Sequence, residues 1–247
     1  MHRYVNCSDD FYINLNLNTE MELTGSRETV LHFFELMQRK YPAMQNFYSR
    51  DRGDHVLEES KELGNYRWCS VEKKRICSGY VNPDSIQSVI QQNHDLLDLA
   101  PHALSVSPLD CESLNVMFGF DFTYSGNHNQ LIAEALGVAP AFDGLLNTPA
   151  SNTIAYEPSI QFAVSEDCKV QCRINVESRT SAFNIRTGVF PEEQLSCYVT
   201  ARRFGSLPAG KTFVDVCSEL TEVCIDTVDN HVMEQVLLPL QQTIAMK

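Results

Sequence analysis

Phe11-Tyr12-Ile13-Asn14-Leu15-Asn16-Leu17-Asn18 alternates apolar and polar side chains without a break. A period of two is that of a strand, because successive side chains leave opposite faces of the pleat. Phe11, Ile13, Leu15 and Leu17 share one face, Tyr12, Asn14, Asn16 and Asn18 the other, and the strand-like run reaches Leu23. Ser26 then stands where an N-cap belongs. Val30, Phe33, Phe34 and Met37 follow at helical spacing until Tyr41-Pro42 stops the run. A strand therefore feeds a helix.

Beyond a polar stretch at residues 49–54, Tyr66 to Val81 reads as a hairpin turning at Glu72-Lys73-Lys74-Arg75. Pairing Val71 with Ile76 sets Trp68 opposite Gly79, so the single Trp covers a glycine backbone and is expected to pack in the core. Pro83-Asp84-Ser85 opens a second helix through Ile86, Val89, Ile90 and Leu97, ending near Ala100-Pro101.

The same grammar recurs. Leu114, Val116, Phe118, Phe120 and Phe122 alternate, Ser125-Gly126 breaks the run, and a short helix carries Leu131, Ile132 and Leu136. Asp121 lies on the face opposite the phenylalanines. In the next hairpin one register unites Ile160 with Ile174, Phe162 with Cys172 and Val164 with Val170 on one apolar face; a slip of one residue would destroy it. A strand follows from Leu195 to Phe204. From Phe213 onward Val216, Leu220, Val223, Cys224, Val228, Val232 and Val236 recur at three and four, giving a long helix that Pro239 kinks or resets.

These elements predict an α+β protein of two similar subdomains, 1–108 and 109–247, each an antiparallel sheet with helices packed on one face, the second ending in the long C-terminal helix. The halves are expected to be a pseudo-duplicate whose boundary falls where Pro108 interrupts the pattern.

At 247 residues, 43% hydrophobic and 21% charged, the composition is globular, and no apolar run approaches the roughly 20 residues of a membrane helix. The N-terminus lacks an export-type apolar stretch. A net charge of −13 with scattered Lys and Arg argues against nucleic acid. Nine cysteines, odd in number and set in apolar alternation, read as the thiols of a reducing cytoplasm, most of them small core residues. Cys168 and Cys172 have the spacing of half a zinc site, but the hairpin register points them into different environments, and no metal or cofactor is expected.

Few residues suggest chemistry. Residues 138–158 lack any period and hold Pro140, Pro149 and Pro158 with Phe142, Leu145 and Leu146; loops of that length in compact domains are lids, binding loops or disorder. Arg202 and Arg203, beside Phe204 and Gly205, are candidates for the rim of a pocket that takes an anionic group. His94, Asp95, Asp98 and His102 form the best acid–base cluster, which also fits a solvated helix end.

Arg39-Lys40-Tyr41-Pro42, the Trp68 hairpin, and Val228-Asp229-Asn230-His231-Val232 with Val236 together resemble a sporadically distributed bacterial family of about this length. The resemblance implies paired α+β subdomains and no established activity. The first functional expectation is a non-catalytic, intracellular interaction or assembly protein with a protein partner or a second copy. The alternative is a small-molecule-binding protein, its pocket roofed by residues 138–158 and lined by Arg202, Arg203, Phe142 and Leu145. The third is an enzyme using a spatially assembled site of Cys168, His94 or His231.

Overall fold

The computed structural model describes residues 4, 6–23, 26–50, 53–146 and 152–247. The strands are β1 (Asp10–Thr19), β2 (Asn46–Ser49), β3 (His55–Glu58), β4 (Tyr66–Val71), β5 (Arg75–Val81), β6 (Cys111–Tyr124), β7 (Ser159–Ala163), β8 (Val170–Glu177) and β9 (Glu193–Phe204). They form one antiparallel sheet in the order β2-β3-β4-β5-β1-β6-β9-β8-β7. Because β1 pairs with β5 on one edge and β6 on the other, the strands of both halves belong to one continuous layer.

The predicted registers hold. Val71 faces Ile76 and Trp68 faces Gly79; Ile160 faces Ile174, Phe162 faces Cys172, and the Val164 amide donates to Val170 at 2.8 Å. Strands β2 and β3, which the sequence reading did not identify, flank the polar stretch at residues 49–54, and β2 leaves all four of its side chains exposed.

Among the described residues, the helices that pack on the sheet do so on one face. The helices are α1 (Arg27–Lys40), α2 (Ile86–Ala103), α3 (His128–Leu136), α4 (Asp143–Leu146), α5 (Ala182–Thr187), α6 (Phe213–Thr227) and α7 (Leu238–Ala245). The Ser26 hydroxyl caps α1 by accepting from the Thr29 amide at 3.1 Å. α6 packs on β6 and β9, where the Cys224 thiol reaches the Val116 carbonyl at 3.4 Å. α2 packs on β5, and its buried Gln92 donates to Ser78 and to the Gly79 carbonyl. Phe11, Ile13, Leu15, Leu17, Leu114, Val116, Phe118 and Phe120 form the floor of this core, all at most 2% exposed.

Between α6 and α7 the helix widens. Val228–Leu237 hydrogen-bonds from i to i+5, over a longer span than the usual single-turn bulge. Ordinary helical bonding resumes in the turn that begins at Leu238 and contains Pro239, which has no N–H to continue the wider pattern. This is the predicted reset. The widened turns hold the N-terminal segment: the Tyr4 hydroxyl donates to Asp229 at 2.8 Å and the Cys7 thiol meets the Met233 sulfur at 3.2 Å. Arg39-Lys40-Tyr41-Pro42 also finds a structural role. Lys40 and the Tyr41 hydroxyl reach Asp95 at 2.6 and 2.7 Å and clasp α1 to α2.

Among the described residues no helix is long and apolar enough to cross a membrane.

Candidate functional site

The face without helices carries the other half of each alternation. Register brings Tyr12 beside Gly119 and Gly119 beside Tyr198, while Asn14 lies between Gly79 and Met117. Two glycines are buried under aromatic rings here. A Cβ on Gly119 would stand 2.3 Å from the Tyr12 ring, and one on Gly79 would stand 2.3 Å from the Trp68 indole nitrogen. Trp68 is thus half-buried on the open face, which corrects its expected place in the core.

Two clefts meet on this face. One, of about 470 Å³, is lined by Tyr12, Asn14, Tyr198 and Thr200 together with Arg173, Asn175, Glu177 and Arg202. The other, of about 440 Å³, shares Tyr12 and Asn14 and continues past Asp10 and Asp121 to Tyr66 and Trp68. Both volumes lie in the range of small-molecule sites.

Tyr12, shared by both clefts, joins polar contacts that run from Asp121 in the second cleft, by way of Tyr198 in the first, to Arg179 outside both linings. The Tyr12 hydroxyl donates to Asp121 at 3.2 Å, the Tyr12 and Tyr198 rings meet edge to face with centroids 6.5 Å apart, and Arg179 donates to the Tyr198 hydroxyl at 3.4 Å. Asp121 is only 7% exposed. Burial pushes its carboxyl above the usual carboxylate range, against the pull of hydrogen bonds from Ser196 and Tyr12. Burial and the neighbouring Asp121 charge push the Tyr12 phenol up in turn, so Tyr12 stays a hydrogen-bond donor. The sequence placed Asp121 on this face but held no sign of its burial, which arises from partners on β1 and β9.

The candidate residues separate. Arg202 lines the cleft, opposite Asn115 and Gln171. Arg203, one residue on, falls on the helix face opposite Leu114, with its buried Nε unpartnered. The pleat therefore divides a pair that the sequence reading kept at one rim. Phe142 and Leu145 are exposed and line neither cleft.

The expected roof is also displaced. Thr153, Ile154 and Tyr156 are tied to Asn127 and Asn129 at the start of α3, on the helical side, and residues 147–151 lie outside the described residues.

No protein-family model and no curated protein matches this chain.

The acid–base candidates serve packing or solvent. His94 hydrogen-bonds Ser218 of α6 at 3.0 Å, Asp98 and His102 are exposed, and His231 is exposed on the widened helix. Asp95 is lowered because Lys40 and Tyr41 outweigh the effect of burial, the largest single influence.

All nine cysteines are free and only Cys168 is exposed. Burial pushes the thiols of Cys77, Cys111, Cys197 and Cys217 up to about 12. At neutral pH one thiol per chain should therefore react rapidly with an aromatic disulfide reagent and the other eight only on unfolding; several fast thiols would contradict this packing. A raised thiol stabilises the fold fully below its ordinary value of 9.0, and that contribution is lost as pH rises toward 12. Urea unfolding should show stability falling above about pH 9, less steeply in Cys197→Ala.

Proposed function

We propose that this is a non-catalytic cytoplasmic binding protein whose ligand lies in the joined clefts on the open face of the sheet. One observation carries the reading: Tyr12, which lines both clefts of small-molecule size, donates to Asp121 of the second cleft, and Tyr198 of the first accepts from Arg179. Cytoplasmic residence is supported by nine free cysteines, eight of them buried as core side chains. Trp68, the only Trp, lines the second cleft and reports on occupancy. Gently purified protein should retain a small molecule in native mass spectrometry, and its removal and return should shift Trp68 emission. A bare protein whose emission answers to no member of a metabolite set would defeat the reading.

A specific feature favours a second reading, association with a protein partner or another copy. β7 is an edge strand, and Ile160, Phe162 and the adjoining Val164, on the helix-side face that they share with Cys172, stand 60%, 40% and 46% exposed. Sedimentation should then show a concentration-dependent oligomer that Phe162→Glu abolishes; a monomer at every concentration would count against self-association.

The same proposal includes the pseudo-duplication. Residues 1–108 and 109–247 each supply an inner strand followed by a helix, a meander running to one sheet edge, and a covering helix. That order agrees with the sporadically distributed bacterial family the sequence resembles, and we read the chain as a member.

A further inference from the structure

In a chain of net charge −13 a guanidinium has many carboxylates to choose from. Arg67, Arg75 and Arg179 each take one. Arg173 and Arg202, both lining the larger cleft, have no carboxylate partner among the described residues. The carboxylate that shares their cleft, Glu177, is already engaged by Asn175 at 2.9 Å and Arg179 at 3.5 Å.

The two guanidinium groups are held in different ways. Arg173 uses Nε to donate to Ser159 at 3.1 Å, which leaves its terminal nitrogens free to turn to the cleft. Arg202 lies over the Phe204 ring at 5.4 Å, and no acceptor takes its donors among the described residues. Arg173 faces Thr200, and Arg202 lies two residues further along the same strand on the same face. Such diagonal neighbours stand about 7–8 Å apart across a sheet, a separation that long side chains converging on one oxyanion can bridge. The more distant charge of the protein is screened over about 8 Å at physiological salt, so the potential in the cleft is set by its own lining, in which Arg173 and Arg202 outnumber Glu177.

We propose that Arg173 and Arg202 clamp the carboxylate or phosphate of a low-molecular-weight acid, whose body extends along the cleft toward Tyr12 and Asn14. This rests on the open face being the ligand site. It goes further by naming the ligand's chemistry.

The test is calorimetric titration of the full chain with inorganic phosphate and, separately, with succinate. The wild type should bind at least one of them saturably, with affinity falling as salt rises. Arg173→Gln/Arg202→Gln should weaken that binding about tenfold or more, while Arg186→Gln, a change on exposed α5, should leave it unaltered. Preference for phosphate assigns a phosphate ester and preference for succinate a carboxylic acid; either supports the clamp. Both arginines are exposed, so the double variant should keep the urea midpoint of the parent.

Failure of both anions to saturate, or equal binding by the double variant, overturns the proposal. An uncharged ligand that shifts Trp68 emission while both anions fail overturns the clamp alone. A retained ligand located elsewhere on the protein overturns the clamp and the open-face reading together.

Discussion

Phe120→Ala should lower the unfolding free energy by roughly 3–5 kcal/mol, among the largest effects a single side chain can have here. Phe120 is fully buried on β6, directly across from Phe11 of β1, with ring centroids 5.0 Å apart. The Tyr4 ring closes over it edge to face at 5.9 Å. Truncation removes the transfer free energy of a benzyl group and leaves a cavity that β1, paired on both edges, is poorly placed to collapse. Urea unfolding measures the loss, and a cost below about 1.5 kcal/mol would mean that the site repacks. Since Phe120 lies on the seam between the two halves, Trp68 emission and far-ultraviolet circular dichroism should report one coincident transition.

Gly119→Ala should destabilise the protein by about 1–3 kcal/mol, although it adds a single methyl group. The added carbon would stand 2.3 Å from Tyr12 Cε2 and 2.4 Å from Cζ. The ring cannot easily yield, because its hydroxyl is bonded to Asp121 and its edge rests on Tyr198. The pair should therefore be strongly coupled. In a Tyr12→Ala background the glycine substitution should cost less, with an interaction energy of about 0.5–3 kcal/mol in the double-mutant cycle. Strict additivity would show that the aromatic cover is not what excludes a side chain at 119. Because Tyr12 lines both clefts, Gly119→Ala should also impair ligand retention even where the protein remains folded.

Much of the fold was legible because a buried face punishes error. The hairpin ending in Val164 and Val170 has one register that keeps Phe162 with Cys172, and the structure adopts it. Trp68 opposite Gly79 followed from the same counting, but which face it joined did not, since that depends on where α2 packs. Strands β2 and β3 escaped notice because four residues are too few to show a period, and β2 buries none of its side chains. Arg202 and Arg203 could have been divided by the period of two. Asp121 could not have been recognised, for its partners come from positions 12 and 196, far away in sequence and adjacent only once β6 lies between β1 and β9.

The place of β1 at the middle of the sheet has a consequence for how the chain is made. β1 is made before the other strands of this sheet, yet β5 reaches one of its edges some 60 residues later in the chain and β6 reaches the other only about 100 residues later. If the first five strands assemble as soon as they are complete, β1 waits with a full row of backbone donors and acceptors bare along one side. Tyr4 waits longer still for Asp229, 225 residues away. Such long closures make for slow folding, and the interval before β6 arrives is when a nascent chain is most open to pairing with the wrong strand.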